Sequence, residues 1–171
     1  WSSDVCSSDL HRVVIEAVQL ALAAELGPPD VAQATRVTLR MVGALLVGAA
    51  IGWDRERRDA DAGLRTHMLV ALGAALFVLV PIEAGMDAEA VSRIIQGLVS
   101  GIGFIGAGAV LKNADEGRIH GLTTAGSIWV TAALGVAAGL GRELTALAGT
   151  ALVLVVLTVL RRLRRLRRRA H

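Results

Sequence analysis

The chain has 171 residues, 54% of them hydrophobic, 19% charged and only 3% aromatic, with a mean hydropathy of +0.58. Those values fall outside the soluble globular average and inside the membrane class. The formal charge of +3 does not argue for nucleic acid: seven of the 18 basic residues lie in RRLRRLRRR at 161–169, and setting them aside leaves 11 basic residues against 15 acidic, with no basic fold or interleaved aromatic residues.

Residues 1–10, WSSDVCSSDL, repeat Ser-Ser-Asp and resemble a translated sequencing adaptor. They are expected to be non-native and are set aside. Cys6 within them is the single cysteine, so one chain can build neither a disulfide framework nor a cysteine metal site. Residues 11–34 are expected to form a short amphipathic helix and a linker. The apolar run from Val13 to Leu26 is too short to span, is interrupted by Glu16, Gln19 and Glu25, and is stopped by Gly27, Pro28 and Pro29. A helix lying at the membrane surface is one reading, and a cut-off piece of a spanning helix is the other.

Residues 35–160 predict an all-α bundle of five transmembrane helices, at about 37–53, 66–83, 93–111, 122–140 and 144–160. The first contains Ala44, Gly48 and Gly52 every four residues, a spacing that places small residues on one helix face. The third, RIIQGLVSGIGFIGAGAVLK, carries Gly97, Gly101, Gly103, Gly106 and Gly108. In water each interior glycine would cost about 1 kcal/mol against alanine. Between membrane helices glycine lets backbones approach, and this segment is expected to be the central, protein-packed helix. Gly101, Gly103 and Gly106 also spell a dinucleotide-binding GxGxxG, which the uninterrupted apolar flanks and the lack of a preceding strand reject. Gly135 and Gly139 form another small-residue pair in the fourth span. The fifth is the most aliphatic and leads into the arginines at 161–171.

Basic residues in the short loops give an orientation. Arg55, Arg57, Arg58 and Arg65 follow the first span, Lys112 and Arg118 the third, and the seven arginines the fifth, while Arg93 and Arg142 lie in the other loops. The count predicts an amino end outside and a carboxyl end in the cytoplasm. Arg161, Arg162, Arg164, Arg165, Arg167, Arg168 and Arg169 are then an anchor for anionic lipids of the bilayer.

Three blocks in order, GWDRERRDADAGLRTHMLVALGAALF at 52–77, RIIQGLVSGIGFIGAGAVL at 93–111 and GLTTAGSIWVTAALGVAAGLG at 121–141, resemble the MgtC/SapB family of bacterial inner-membrane proteins. Asp54 stands where that family usually has Glu, and the chain is expected to be a short form without the small cytoplasmic ACT-like domain of longer members. The resemblance implies a role in magnesium limitation or in ion and proton homeostasis, exerted through a membrane partner, with a small transporter or channel for Mg²⁺ or another ion as the alternative. It also links the chain to stress adaptation and a virulence-related family.

The candidate site is a cytoplasmic polar cluster of Asp54, Arg55, Glu56, Arg65, Thr66, His67, Thr123 and Thr124. Ionisable groups near a bilayer are costly unless they pair or face a polar cavity. One reading is a solvated turn; the other has Asp54 or Glu56 offering oxygen ligands to Mg²⁺, with Arg65 holding the carboxylates. Thr123 and Thr124 are either helix caps or face an anion or a partner at a helix start. Arg93 and Gln96 form a second polar site near the outer end of the third span, where Gln96 is either helix glue or the lining of a path. No catalytic constellation is visible, no resident cofactor is expected, and a homo-oligomer is one candidate assembly.

Overall fold

The computed structural model describes residues 12–20, 30–111 and 121–169. The expected leader at 1–10, residues 21–29 and the loop at 112–120 lie outside them. The chain divides between Thr35 and Arg36. Residues 12–20 form an exposed helix, α1. Five further helices follow: α2 (Val31–Glu56), α3 (Leu64–Glu83), α4 (Ala88–Leu111), α5 (Leu122–Gly139) and α6 (Glu143–Arg169). No strand occurs among the described residues.

Two helices start earlier than the apolar runs suggest, and in both an aspartate is the reason. The Ala32 N–H donates to Asp30 Oδ1 at 3.1 Å, so α2 begins at Val31 and takes in residues expected to be linker. The Ala90 N–H donates to Asp87 Oδ1 at 2.8 Å, so α4 begins at Ala88, ahead of Arg93. Aspartate in this position satisfies N–H groups that the first helical turn leaves unpaired. α5 ends on Gly141 at φ 72°, where the Gly141 and Arg142 N–H groups bond to Ala138 and Ala137 carbonyls. A left-handed residue is what lets the chain turn back onto those carbonyls, and glycine adopts it at low cost.

α2, α3, α4 and α5 are each long and apolar enough to cross a membrane. The chain is therefore a multi-pass helical membrane protein. α6 is apolar over Glu143–Val159, and its helix continues without a break through the arginines to Arg169.

The middle of the bundle is occupied by α5, which meets α3, α4 and α6. Small residues set the spacing. A Cβ at Gly48 would lie 2.5 Å from the His67 carbonyl oxygen and 2.8 Å from Met68 Cα, so α2 and α3 touch backbone to backbone. Gly52 lies as closely against Leu64 Cα, at 2.7 Å. Gly135 and Gly139 put α5 against α3 in the same way, with Ala71 Cα and Ala75 Cα each 2.9 Å from the missing Cβ. Ala44, Val47 and Ile51 of α2 pack with Ala71, Ala75 and Leu79 of α3 and with Leu134 and Ala138 of α5.

Here α4 departs from the sequence expectation of a central, protein-packed helix. It lies at the side of the bundle. Gly97, Gly101, Gly103 and Gly108 meet nothing within 4 Å, and Gly106 alone makes an ordinary contact, with Ala125 at 3.5 Å. The physical reason is the arrangement of its large residues: Val91, Leu98 and Ile102 lie on the opposite face, and Leu98 and Ile102 pack with Ala74 of α3 and with Ile128 and Ala132 of α5. Within one chain, burying those side chains turns the glycines outward.

Candidate functional site

The end of α2 and the starts of α3 and α5 come together through side chains. Arg55, in the last turn of α2, is 9% exposed, and its Nη2 donates to Thr124 Oγ1 of α5 at 3.0 Å. Thr124 lies one helical turn from Ser127, whose Oγ is 2.8 Å from the Thr124 carbonyl and 3.1 Å from His67 Nε2 of α3. His67 is fully buried, and its Nδ1 is 2.8 Å from the Gly63 carbonyl oxygen. Thr131, one turn further along α5, donates to the Ser127 carbonyl at 2.7 Å.

These contacts make a buried polar chain, Arg55 to Thr124 to Ser127 to His67, that links three helices. A buried polar group without partners costs several kcal/mol, and a buried charge more, so the chain holds the helices in one register. The hydrogens follow from the acceptors. A carbonyl oxygen only accepts, so His67 Nδ1 carries a proton. In a neutral ring Nε2 is then an acceptor, and the single Ser127 hydroxyl proton has two acceptors in reach, Nε2 and the Thr124 carbonyl.

The remaining expected members do not join this chain. Asp54 turns the other way, with one carboxylate oxygen paired to Arg58 Nη2 and the other buried without a hydrogen-bond partner among the described residues. Arg58 also reaches α6, donating from Nη1 to the Leu157 carbonyl at 2.8 Å. Glu56 accepts the Leu64 N–H at 2.8 Å, so its carboxylate caps α3. A negative group there complements the positive end of the helix. Asp54 and Glu56 are thus engaged in different directions rather than presenting paired oxygens. Arg65 and Thr123 are exposed, Thr66 is half-buried, and Arg65 makes no ion pair with Asp54 or Glu56. Neither threonine side chain caps α5; its N-cap is Gly121 at φ 87°. Among the described residues no three of His, Cys, Asp and Glu converge as metal ligands.

At the other end of α4, Arg93 pairs with Glu89 on the exposed surface. Gln96 is exposed beside a groove of about 790 Å³ that is also lined by Ile82, Met86, Val91, Ser92 and Ser100.

The sequence reading overlooked Ser127 and Thr131 as members of the chain, and Arg58 as the partner of Asp54. A signal was present for the first two: Thr124, Ser127 and Thr131 recur at three and four residues, the spacing of one helix face. Arg40 was overlooked as well. Its Nη1 lies 3.3 Å from the Gly139 carbonyl, tying the opposite end of α2 to α5.

The profile of the MgtC family matches residues 41–166, which include every member of this buried chain. The chain belongs to the MgtC family. Among MgtC relatives, SrpB of Synechococcus elongatus is 45% identical over 130 residues, covering 70% of this chain and 71% of its own. MgtC of Salmonella typhimurium is 44% identical over 116 residues, covering 68% of this chain and 48% of its own, so the match spans about half of that protein. YhiD of Escherichia coli, a candidate magnesium transporter by its name, is 40% identical over 124 residues, with 68% and 57% covered. No solved structure matches the chain.

Proposed function

We propose that this chain is a regulatory protein of the bacterial inner membrane, acting through a membrane partner in adaptation to magnesium limitation or in ion and proton homeostasis. Its five spans run from an amino end outside to a carboxyl end in the cytoplasm, so the buried polar chain lies at the cytoplasmic end. The observation that carries this reading is that the buried polar side chains that bond from helix to helix, Arg55, Thr124, Ser127 and His67, are gathered at one end, while the buried hydroxyls nearer mid-span, Thr131 and Thr150, bond only to main-chain carbonyls of their own helices. Beyond Thr131 the interior between α2, α3 and α5 is formed by Ala44, Ala71, Ala75, Val78, Leu79 and Ala138. A secondary transporter places its substrate site near the bilayer midplane, among unwound backbone and polar groups. A closed polar clamp below an apolar interior is suited instead to holding three helix ends in a fixed arrangement, so that a partner meets a defined surface. The buried hydroxyls of Ser127 and Thr131 lie against backbone carbonyls, which supports a structural role for them over a nucleophilic one.

A second reading, as a small ion transporter, is favoured by the name of YhiD and by the buried, unpaired oxygen of Asp54, since carboxylate oxygen suits Mg²⁺. Liposomes containing the purified protein separate the two. Regulation through a partner predicts no Mg²⁺ or proton flux above that of empty liposomes. A flux that Asp54→Asn abolishes establishes transport and removes the regulatory reading.

A further inference from the structure

The exposed faces of α2 and α6 change chemistry along their length in the order that a phospholipid does. On α2, Leu39, Val42, Leu46 and Trp53 are exposed, and Arg57 follows on the same face, at helical spacings of three, four, seven and four residues. Leu39 and Arg57 are 18 residues apart, about 27 Å along a helix, close to the hydrocarbon thickness of ~30 Å. This face passes from aliphatic to aromatic to cationic. On α6 the exposed Leu152, Val156 and Val159 make a second aliphatic row, and the arginines at 161–169 follow in the same unbroken helix. The apolar part, Glu143–Val159, is about 26 Å long, so the first arginines stand where the hydrocarbon ends.

Two contacts bring these ends together. Arg58 Nη1 donates to the Leu157 carbonyl at 2.8 Å, which sets the end of α2 level with the turn of α6 just before Arg161. The guanidinium carbon of Arg57 lies 4.9 Å from the centroid of the Trp53 ring, so an indole at the level of the bilayer boundary holds a cation over its face. Arg57 makes no ion pair among the described residues. The carboxylates beside it are engaged elsewhere: Asp54 pairs with Arg58, and Glu56 accepts the Leu64 N–H. Asp59 and Asp61 come after α2 has ended, and the run at 161–169 contains seven arginines and no acidic residue. A guanidinium presents paired N–H donors in a fork that matches phosphate oxygens.

We propose that the ends of α2 and α6 form a binding site for an anionic phospholipid, with Arg57 and the α6 run from Arg161 supplying the cations for its phosphate and the two aliphatic rows lying along its acyl chains. A soluble anion would need the cations alone. Here the cations stand at the ends of exposed aliphatic rows of membrane length, so tail and phosphate are matched at the spacing of one lipid. A zwitterionic lipid carries a cation of its own beside the phosphate, and the arginines gain less from it; a head group with net negative charge is the better match. The inference is independent of which side of the membrane this end faces and of whether the chain regulates or transports.

The test uses the full chain with Trp1→Phe and Trp129→Phe, which leaves Trp53 as the single indole, in vesicles of phosphatidylcholine. A minor fraction of the lipid is replaced by brominated phosphatidylglycerol or, in parallel, by brominated phosphatidylcholine; bromine quenches tryptophan fluorescence at close range only. The brominated phosphatidylglycerol should quench Trp53 several-fold more than the brominated phosphatidylcholine at the same fraction. Arg57→Gln removes one exposed cation and leaves all seven arginines of α6, so it separates a built site from general attraction to the tail. It should bring the two lipids close to equal quenching with helix content unchanged, and Arg57→Lys should keep part of the preference. Equal quenching by the two lipids in the parent overturns the proposal and leaves the arginines to a soluble acidic partner. An unchanged preference in Arg57→Gln overturns it as well, since the tail would then be the whole cause. Inorganic phosphate that abolishes the preference at constant ionic strength would identify a site for the free anion, and the lipid assignment would fall.

Discussion

Gly48→Ala tests whether backbone contact between α2 and α3 sets the geometry of the buried chain. The added Cβ would stand 2.5 Å from the His67 carbonyl oxygen and 2.8 Å from Met68 Cα, whereas ordinary contact begins at 3.4 Å. Both obstacles are backbone, so no side-chain rotation relieves them. The helices must part by about 0.9 Å at that point, and a gap of ~0.5–1 Å forfeits a quarter to a half of each dispersion contact across it. Gly43→Ala is the internal control, because it lies in the same helix and meets nothing within 4 Å. Both substitutions gain the helix propensity of alanine, about 1 kcal/mol. That gain cancels in the comparison and leaves the overpacking cost, about 1–3 kcal/mol, as the expected gap between them. The assay is unfolding of both variants in the same detergent, followed by helical circular dichroism. If Gly48→Ala unfolds at the same midpoint as Gly43→Ala, or above it, then α2 and α3 are not in backbone contact and the argument from small residues fails.

Two further outcomes follow from the same geometry. Thr124→Val keeps the shape of the side chain and removes the acceptor of Arg55; hydrogen bonds to charged groups contribute about 1.5–3 kcal/mol, so the variant should lose stability by that order while Thr124→Ser stays near the parent. Equal stability of the valine and serine variants would remove Thr124 from the clamp. Reporter fusions after Arg58 and Arg169 should report cytoplasm and one after Asp87 the outside; a fusion after Arg169 that reports the outside would reverse the proposed orientation.

The helical membrane class was legible because it rests on composition and length, which no tertiary contact can alter. Helix starts were less so. Asp30 and Asp87 move two of them outward through one hydrogen bond each, and a hydropathy run does not register a capping carboxylate. The glycines of α4 were expected to pack against neighbouring helices and instead face outside the single chain, because glycine spacing alone does not show which face the larger side chains bury. The polar cluster was half visible. Arg55, His67 and Thr124 stand out as polar residues at helix ends, but Asp54 and Glu56, two positions apart on α2, point away from each other, and only the packing shows where each carboxylate goes. Ser127 was within reach from its spacing alone.

The two arginine ties of the α2 segment have a consequence for variation within the family. Arg40 and Arg58 are 18 residues apart, about 27 Å along a helix, and they bond to the carbonyls of Gly139 and Leu157. Both acceptors are main-chain oxygens, which every amino acid supplies. Substitution at position 157 can therefore change the side chain and leave the acceptor in place, so there is no compensating partner whose changes would track those of Arg58. The two fastenings are written into one side of each pair only. Drift at position 157 leaves its bond in place, whereas Gly139 is constrained by its close approach to Ala75 and not by the bond, so for the ties themselves the arginines alone carry the heritable information that α2 is pinned at both ends.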